Sequence, residues 1–316
     1  MNVFRGSAQL RAAPPCALTI GNFDGVHRGH HALLQALTAG ARARGLDSCV
    51  MTFEPHPKEF FTPTEAPPRI LNLRDKLTAF ADIGIDRVVI ERFNAAYAKL
   101  TPEQFVSEIL LRRLSTKWIL IGDDFCYGAK RAGDFASLKR AGDAFGFEVS
   151  NINTVLENQE RISSSALRSA LAEGDMPKAA LLLGRPYFIS GHVIYGRQLG
   201  RTLGFPTLNL AVANHLHERK PAMTGIFTVL VHGLGDTPLP GVASLGVRPT
   251  VEDAGRVLLE VHLFDFNAQV YGRIISVELL EKIRDEAKYP DLDSLQSAIQ
   301  NDAQCARDYF QKKVYV

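Results

Sequence analysis

Two stretches of this chain combine side chains and spacings that could handle phosphate. The first, Gly21 to His31, reads GNFDGVHRGHH. Its glycines at 21, 25 and 29 let the backbone come close to a ligand. His27 and His30 are three apart, so both can sit at one helix start, where unpaired N–H groups already attract an anion. Two imidazoles placed there suit a triphosphate whose charge grows as pyrophosphate leaves. A plain glycine-rich turn with two surface histidines is the alternative, and the strand–glycine–helix context favours the phosphate site.

The second stretch is GHVIYGRQLGRTLGFPTLNL, from Gly191 to Leu210. It has no GxxxxGK[ST] or GxGxxG string, so it is neither a Walker A loop nor a dinucleotide fingerprint. Glycines at 191, 196, 200 and 204 and arginines at 197 and 201 could form a flap over phosphates. Thr207 and Asn209 are two apart, which puts them on one face of a strand. A hydroxyl and an amide oxygen are suitable hard ligands for Mg²⁺ beside nucleotide phosphates, although a hairpin with a wet polar face would read the same way. Glu260, in the apolar run LLEVH, is unusual for a strand unless it faces a polar site.

Three shorter strings add candidates. In RISSSALR (161–168), Ser163, Ser164 and Ser165 can cap a helix and leave hydroxyls toward an anion, while Arg161 and Arg168 supply fixed charge. In FEPHP (53–57), Pro55 and Pro57 hold an extended rigid loop, and Phe53 with the prolines could wall a flat ring. GDDF at a strand end could bring Asp123 or Asp124 near a metal or a ribose.

The elements that must position these residues follow from periodicity. Up to about residue 183, short apolar runs (Ala17–Ile20, Ser48–Phe53, Val88–Ile90, Trp118–Ile121, Phe147–Ile152) alternate with helical patterns. The helices are expected after His30, over Arg74–Ile83, from Thr101-Pro102 to Leu114, and over Phe135–Phe145. That alternation predicts a parallel sheet covered on both faces, with ligands beyond the carboxyl ends of the strands. From Tyr187 to Leu280, β-branched and aromatic segments are separated by Gly and Pro, which predicts an antiparallel barrel or sandwich. A final helix is expected over Leu292–Phe310. The break between domains falls near Leu183–Pro186, giving 1–183 and 184–316.

Length and composition agree with two domains: 316 residues, 46% hydrophobic and 22% charged. Lys+Arg is 36 and Asp+Glu is 34, a net charge of +2, too little for a protein that lives on nucleic-acid phosphate. Cys16, Cys49, Cys126 and Cys305 lie far apart with no CxxC pair, which argues against a disulfide framework or a zinc site and for a reducing cytoplasm. No secretory leader or membrane-spanning run is recognisable, and the sequence leaves the oligomeric state open.

The motifs together resemble a known family. HRGH at 27–30 matches the HxGH signature of nucleotidyltransferases, and GNFDGVHRGH resembles the adenylyltransferase module of bacterial bifunctional riboflavin kinase/FAD synthetase. FEPHP, GDDFCYGAKRAGD (122–134) and RISSSALR follow in that module's order. Ser165 stands where threonine is common, and Asp124 where some members carry asparagine. GRTLGFPTLNL is similar to the riboflavin kinase signature, with Leu208 in place of the usual alanine. GVASLGVRPTV, LLEVHLFDF and YGR (271–273) resemble the later kinase segments.

The resemblance implies a Rossmann-like α/β nucleotidyltransferase domain followed by a mainly antiparallel β-barrel with a C-terminal helix. It implies ATP and phosphate binding by Gly21, Asn22, Phe23, Asp24, Gly25, Gly29, Arg161, Ser163, Ser164, Ser165 and Arg168, and by Gly200, Arg201, Thr202 and Gly204 in the second domain. Flavin would contact Phe53, Pro55, Pro57, Asp124, Phe125 and Arg273, Mg²⁺ would lie on Thr207 and Asn209, and Glu260 would be the kinase base. His27 and His30 would serve adenylyl transfer. Riboflavin, FMN, FAD and ATP are the implied small-molecule partners, without nucleic acid or membrane. An N-terminal half that only binds ligand, or a flavin-sensing module without turnover, are the competing readings.

Overall fold

The structure, a computed structural model, describes residues 1–10, 13–152, 156–157, 160–196, 204–212, 221–247 and 257–313. Two compact units emerge: Met1–Pro67 with Lys76–Ile162, and Pro68–Asp75 with Ser163–Val316.

The first unit is built on six parallel strands: β1 (Asn2–Arg5), β2 (Cys16–Ile20), β3 (Asp47–Glu54), β4 (Arg87–Arg92), β5 (Thr116–Gly122) and β6 (Glu148–Ile152). Their order is β1-β4-β3-β2-β5-β6. All five residues of β2 are buried, as a central strand covered on both faces requires. Helix α1 (Arg28–Ala43) follows β2 and buries Leu33, Leu34, Leu37 and Ala41, the stripe expected from their spacing. The sheet grows in one direction from β2 through β3 and in the other through β5. That reversal opens a crevice at the carboxyl ends of β2 and β5, where the GNFDGVHRGH and GDDF loops begin.

Several local details differ from the sequence reading. Strand β1, too short to show a period, pairs with β4 at the sheet edge. The Pro55–Pro57 segment is extended only as far as His56, and Pro57 opens the short helix α2 (Pro57–Phe61), where its missing N–H costs nothing. Helix α3 (Leu73–Ile83) and the short α4 (Ala95–Ala98) lie on either side of β4 in sequence. Thr101 caps α5 (Pro102–Gln104) through a reciprocal bond with Gln104. The coil then widens to a π-helix over Phe105–Arg113, and the Leu114 N–H donates to Ile109 O, five residues back, at 3.0 Å. Helix α6 (Phe135–Phe145) starts on an Asp134–Ser137 capping box and ends at Gly146 with φ 76°.

In the second unit, α7 (Ser164–Glu173) and α8 (Met176–Leu183) precede the β-rich part. Its strands are β9 (Tyr187–Ile194), β10 (Leu208–Ala211), β11 (Gly225–His232), β12 (Leu239–Val247), β13 (Val257–Leu263) and β14 (Ile274–Arg284). A two-residue pair, β7 (Leu156–Glu157) with β8 (Glu160–Arg161), stands apart in the first unit. β9–β14 close into an antiparallel barrel in the order β10-β13-β12-β11-β14-β9, choosing barrel over sandwich. Alternate residues fill it, among them Leu210, Val229, Val231, Leu259, Val261 and Val277. Helix α9 (Leu292–Lys313) lies on the outside, where Ala303 and Ala306 pack with Ile226, Val242 and Phe264. Arg284 clamps it from β14, its Nε and Nη2 donating to the two Asp302 oxygens at 2.8 and 2.6 Å.

The 68–75 segment joins this unit through hydrogen bonds to β9. Tyr187 donates its hydroxyl to Ile70 O at 2.8 Å, and Asp75 accepts from the Ser190 N–H and hydroxyl. Burial raises the Asp75 carboxyl above its ordinary range, and the bonds from Ser190 partly offset that shift.

Candidate active sites

The loop from Gly21 to His27 is held by backbone geometry that few residues adopt. Phe23 and Val26 have φ of 48° and 42°, in the left-handed region that disfavours bulky side chains. Phe23 is fixed edge-on between Phe80 and the His30 ring. The Asn22 carbonyl accepts from Lys76 Nζ at 2.8 Å and from Thr52 Oγ1 at 3.3 Å. Asp24 is buried.

His27 is the N-cap of α1, and its Nδ1 accepts from the His30 N–H at 3.3 Å. The two imidazoles stack, with centroids 3.7 Å apart and planes 13° from parallel. A side chain at position 29 would press on the His27 ring, so the central glycine of HRGH lets the rings sit there. Burial first, then the charges of His27, Lys76 and His31, hold the His30 imidazole well below its ordinary pKa. Its Nδ1 is buried and has no hydrogen-bond partner among the described residues, and the same holds for Asn22 Oδ1. Polar atoms left bare at a helix start fit a ligand that supplies their partners.

Asp124, expected near flavin, forms an ion pair with Arg161 at 3.0 Å, and both side chains are exposed. Asp123 accepts from Asn151 Nδ2 at 3.1 Å. Phe125 lies against Tyr127 with centroids 5.8 Å apart. Phe53 joins an aromatic group with Phe93 and Tyr97, extended by Phe60 and Phe61. Phe61 is 62% exposed, so this group is a built apolar surface directly after FEPHP. The RISSSALR string divides between the units: Arg161 and Ile162 belong to the first, Ser163 onward to the second. Ser163 caps α7, its Oγ accepting from the Ala166 N–H at 3.2 Å, while Ser165 is exposed. Arg168 donates Nε–H to Pro68 O at 2.8 Å.

In the barrel, Asn209 on β10 stands directly opposite Glu260 on β13, and Glu260 is opposite Ser244 on β12. Opposed residues of an antiparallel pair point to the same face, so Asn209, Glu260 and Ser244 form a row. Asn209 is buried, and its Oδ1 has no hydrogen-bond partner among the described residues. Thr207 precedes the first residue of β10 rather than lying within it. A cavity of about 190 Å³ opens beside this row, lined by Phe205, Thr207, Ser244, Glu260, His262, Leu295 and Ile299 among others. A Cβ at Gly196 would run into the Asn209 amide, so the chain can cross there only as glycine. The Glu286 carboxylate lies over Gly246, and burial and the Glu260 charge raise its pKa.

Gly204 has φ 84° with open space around it, so its role is conformational. Arg273 is exposed and donates to Gly233 O at 3.0 Å. Gly200, Arg201 and Thr202 lie outside the described residues. Sequence reasoning missed Lys76, the Phe60–Phe61–Phe93–Tyr97 group and Ser244. Adjacent phenylalanines after FEPHP were a usable signal. Lys76 and Ser244 had none, since only the fold brings them in.

Two stacked histidines at a helix start beside the switch point of a parallel sheet, followed by a closed barrel carrying an amide–carboxylate row, define a protein of two units with one candidate site in each. Comparison with known proteins gives the family. A profile described as FAD synthetase matches residues 10–166, and one described as riboflavin kinase matches residues 183–310. Proteins named bifunctional riboflavin kinase/FMN adenylyltransferase are 46% identical in Escherichia coli (strain K12), over 98% of both chains, and 41% identical in Haemophilus influenzae, over 98% of this chain and 99% of the relative. The relative of the same name from Pseudomonas fluorescens is 43% identical over 97% of both. A solved structure described as a macrolide-efflux protein from Streptococcus pneumoniae shares the fold with a TM-score of 0.76 and 28% identity, covering 97% of this chain and 98% of that one. The chain belongs to the bifunctional riboflavin kinase/FMN adenylyltransferase family, with the FAD synthetase region first and the kinase region second; both activities are transferases that use ATP. Among the described residues no helix is long and apolar enough to cross a membrane.

Proposed function

We propose that residues 184–316 phosphorylate riboflavin and that residues 1–183 adenylylate the resulting FMN. The observation that carries the kinase assignment is the opposition of Asn209 and Glu260 beside an apolar-walled cavity. Glu260 takes the proton from the ribityl 5′-hydroxyl as its oxygen bonds to the ATP γ-phosphorus and the bond to the β–γ bridging oxygen breaks, releasing ADP. Phe205, Leu295 and Ile299 supply the apolar wall for the flavin ring.

Thr207 and Asn209 would hold Mg²⁺, for which the bare, buried Oδ1 of Asn209 is a fitting donor. When bound, the ion offsets charge on the transferring phosphate. Among the described residues no cluster of three His, Cys, Asp or Glu could hold a metal, which suits an ion carried largely by nucleotide phosphates.

In the first domain an oxygen of the FMN phosphate attacks the ATP α-phosphorus and pyrophosphate leaves, with no protein nucleophile. Positioning and charge stabilisation fall to His27, His30, Lys76 and the start of α1. Phe53, Pro55 and Pro57, with Phe61 and Phe93, wall the flavin, and Phe125 belongs to the same assignment. Ser163, Ser164, Ser165 and Arg168 are assigned to phosphate on the resemblance of RISSSALR. Both reactions are placed in the cytoplasm, in keeping with four free cysteines, and need neither nucleic acid nor membrane.

The test is product analysis after incubation with riboflavin and ATP, with and without Mg²⁺. FAD should accumulate through FMN and only with the metal. FMN as the sole product would remove the first-domain assignment, and full turnover in a metal chelator would remove the Mg²⁺ site.

A further inference from the structure

The side chain of Phe23 is only 2% exposed, so its ring meets protein rather than ligand. Its backbone sits at φ 48°, where glycine is at ease and a bulky side chain is not. The contacts of the ring offset that strain. One goes to Phe80, with centroids 5.5 Å apart and planes crossing at 88°, and one to His30, at 5.2 Å and 67°. Gly21 leaves room for them, since a Cβ there would come within 3.1 Å of the Phe23 ring.

Helix α3 holds this residue at two points. Lys76 and Phe80 are one helical turn apart and share a face. Lys76 is buried and donates to the Asn22 carbonyl at 2.8 Å, which fixes the backbone directly before Phe23. Phe80, with no exposed surface, holds the Phe23 ring itself. The other contact of that ring is the His30 imidazole. His30 Nδ1 has no hydrogen-bond partner among the described residues, so no bond at that nitrogen sets the angle of the ring. Packing sets it: His27 stacks on the imidazole at 3.7 Å, and Phe23 meets it edge-on. We propose that Phe23, carried by Lys76 and Phe80, is a positioning residue for adenylyl transfer that orients the His30 imidazole toward the substrate phosphates. Its ring touches neither nucleotide nor flavin. A misaimed imidazole weakens the stabilisation of charge developing in the transition state and leaves ground-state binding unchanged.

This inference rests on the assignment of His30 to adenylyl transfer, which His30→Ala by itself tests. The experiment assays FAD formation from FMN by the full chain as Phe23→Leu, as His30→Ala and as the double variant. Phe23→Leu keeps apolar bulk without the ring. It should lower kcat about tenfold while the KM values for ATP and FMN stay within about twofold of the parent. In the His30→Ala background the same substitution should change the residual kcat less than about twofold, because a residue that acts through His30 has nothing left to orient. Phe80→Leu, which removes the support behind Phe23, should repeat the pattern with a smaller drop. Trp118 emission reports whether the first unit is folded at the assay temperature, and Phe80→Leu carries the test if Phe23→Leu is not. An unchanged kcat in the folded variant overturns the proposal, and so does a rise in ATP KM alone, which would make the ring a ligand contact. A further tenfold loss or so in the His30→Ala background also overturns it, yet leaves the His30 assignment standing. Normal FAD formation by His30→Ala removes that assignment and the role of Phe23 with it.

Discussion

Asn209 and Glu260 come from positions 51 residues apart in the chain and face each other directly across β10 and β13. An amide oxygen with no hydrogen-bond partner among the described residues thus stands beside a carboxylate on one strand-pair face. Glu260→Gln keeps the shape and removes the proton acceptor. We expect riboflavin phosphorylation to fall by at least about 100-fold, while FAD formation from supplied FMN continues. Chromatography of both product mixtures decides it, and near-normal FMN synthesis would strip Glu260 of its role.

Gly196→Ala tests the same row from the other strand. The added methyl would collide with the Asn209 amide, so the amide or the crossing backbone must move. Kinase turnover should drop more than about tenfold, since misplacement of a positioning group by about 1 Å can cost 100-fold. Adenylylation of FMN should be untouched. Equal loss of both activities would instead indicate misfolding of the whole chain.

The first site has a pH signature. Burial and the charges of His27, Lys76 and His31 lower the His30 pKa in the folded chain below its ordinary value. A lowered folded-state pKa means the unfolded chain binds the proton more readily. Stability should therefore decline as pH falls through the ordinary imidazole range near about 6.5 and below. Trp118 is the single tryptophan and lies on β5 of the first unit, so its emission reports unfolding there. Its melting temperature should drop between pH 7.5 and 5.5, less steeply in His30→Asn. ATP should protect more at pH 6 than at pH 8, because polyphosphate favours the imidazolium. Identical pH slopes in parent and variant would remove His30 as the titrating group.

Catalytically, His30→Ala should lose FAD formation from FMN by about 100-fold or more and retain riboflavin phosphorylation. His27→Ala carries a second cost, since it also removes the cap of α1, about 1 kcal/mol. Both variants assayed on both reactions separate the sites, and a parallel loss of the two activities would undo the division of labour.

Asp302 ties α9 to the barrel through two bonds from Arg284. Asp302→Ala leaves that guanidinium partly buried without its partner, at roughly 1.5–3 kcal/mol, softened by the Arg284 exposure of 29%. As α9 also walls the cavity with Leu295 and Ile299, riboflavin KM should rise and amide protection in α9 should fall. An unaltered KM would show that the clamp does not position the wall.

Much of this was legible in the chain itself. Apolar patterning set α1 and β2 to within a residue or two, because α1 must bury one stripe and β2, a central strand, both of its faces. The spacing of GNFDGVHRGHH put both histidines at one helix start, and there His27 caps α1 and stacks on His30. What sequence could not supply is proximity across the fold. β1 is four residues long and gives no period. The widening of the Phe105–Arg113 helix leaves no mark in residue type. Lys76 reaches the Asn22 carbonyl from 54 positions away, and Ser244 meets Glu260 only through strand register. Side-chain type and local spacing are written into the covalent order. Which distant groups share a face depends on sheet order and register, and these are decided by how the whole core packs.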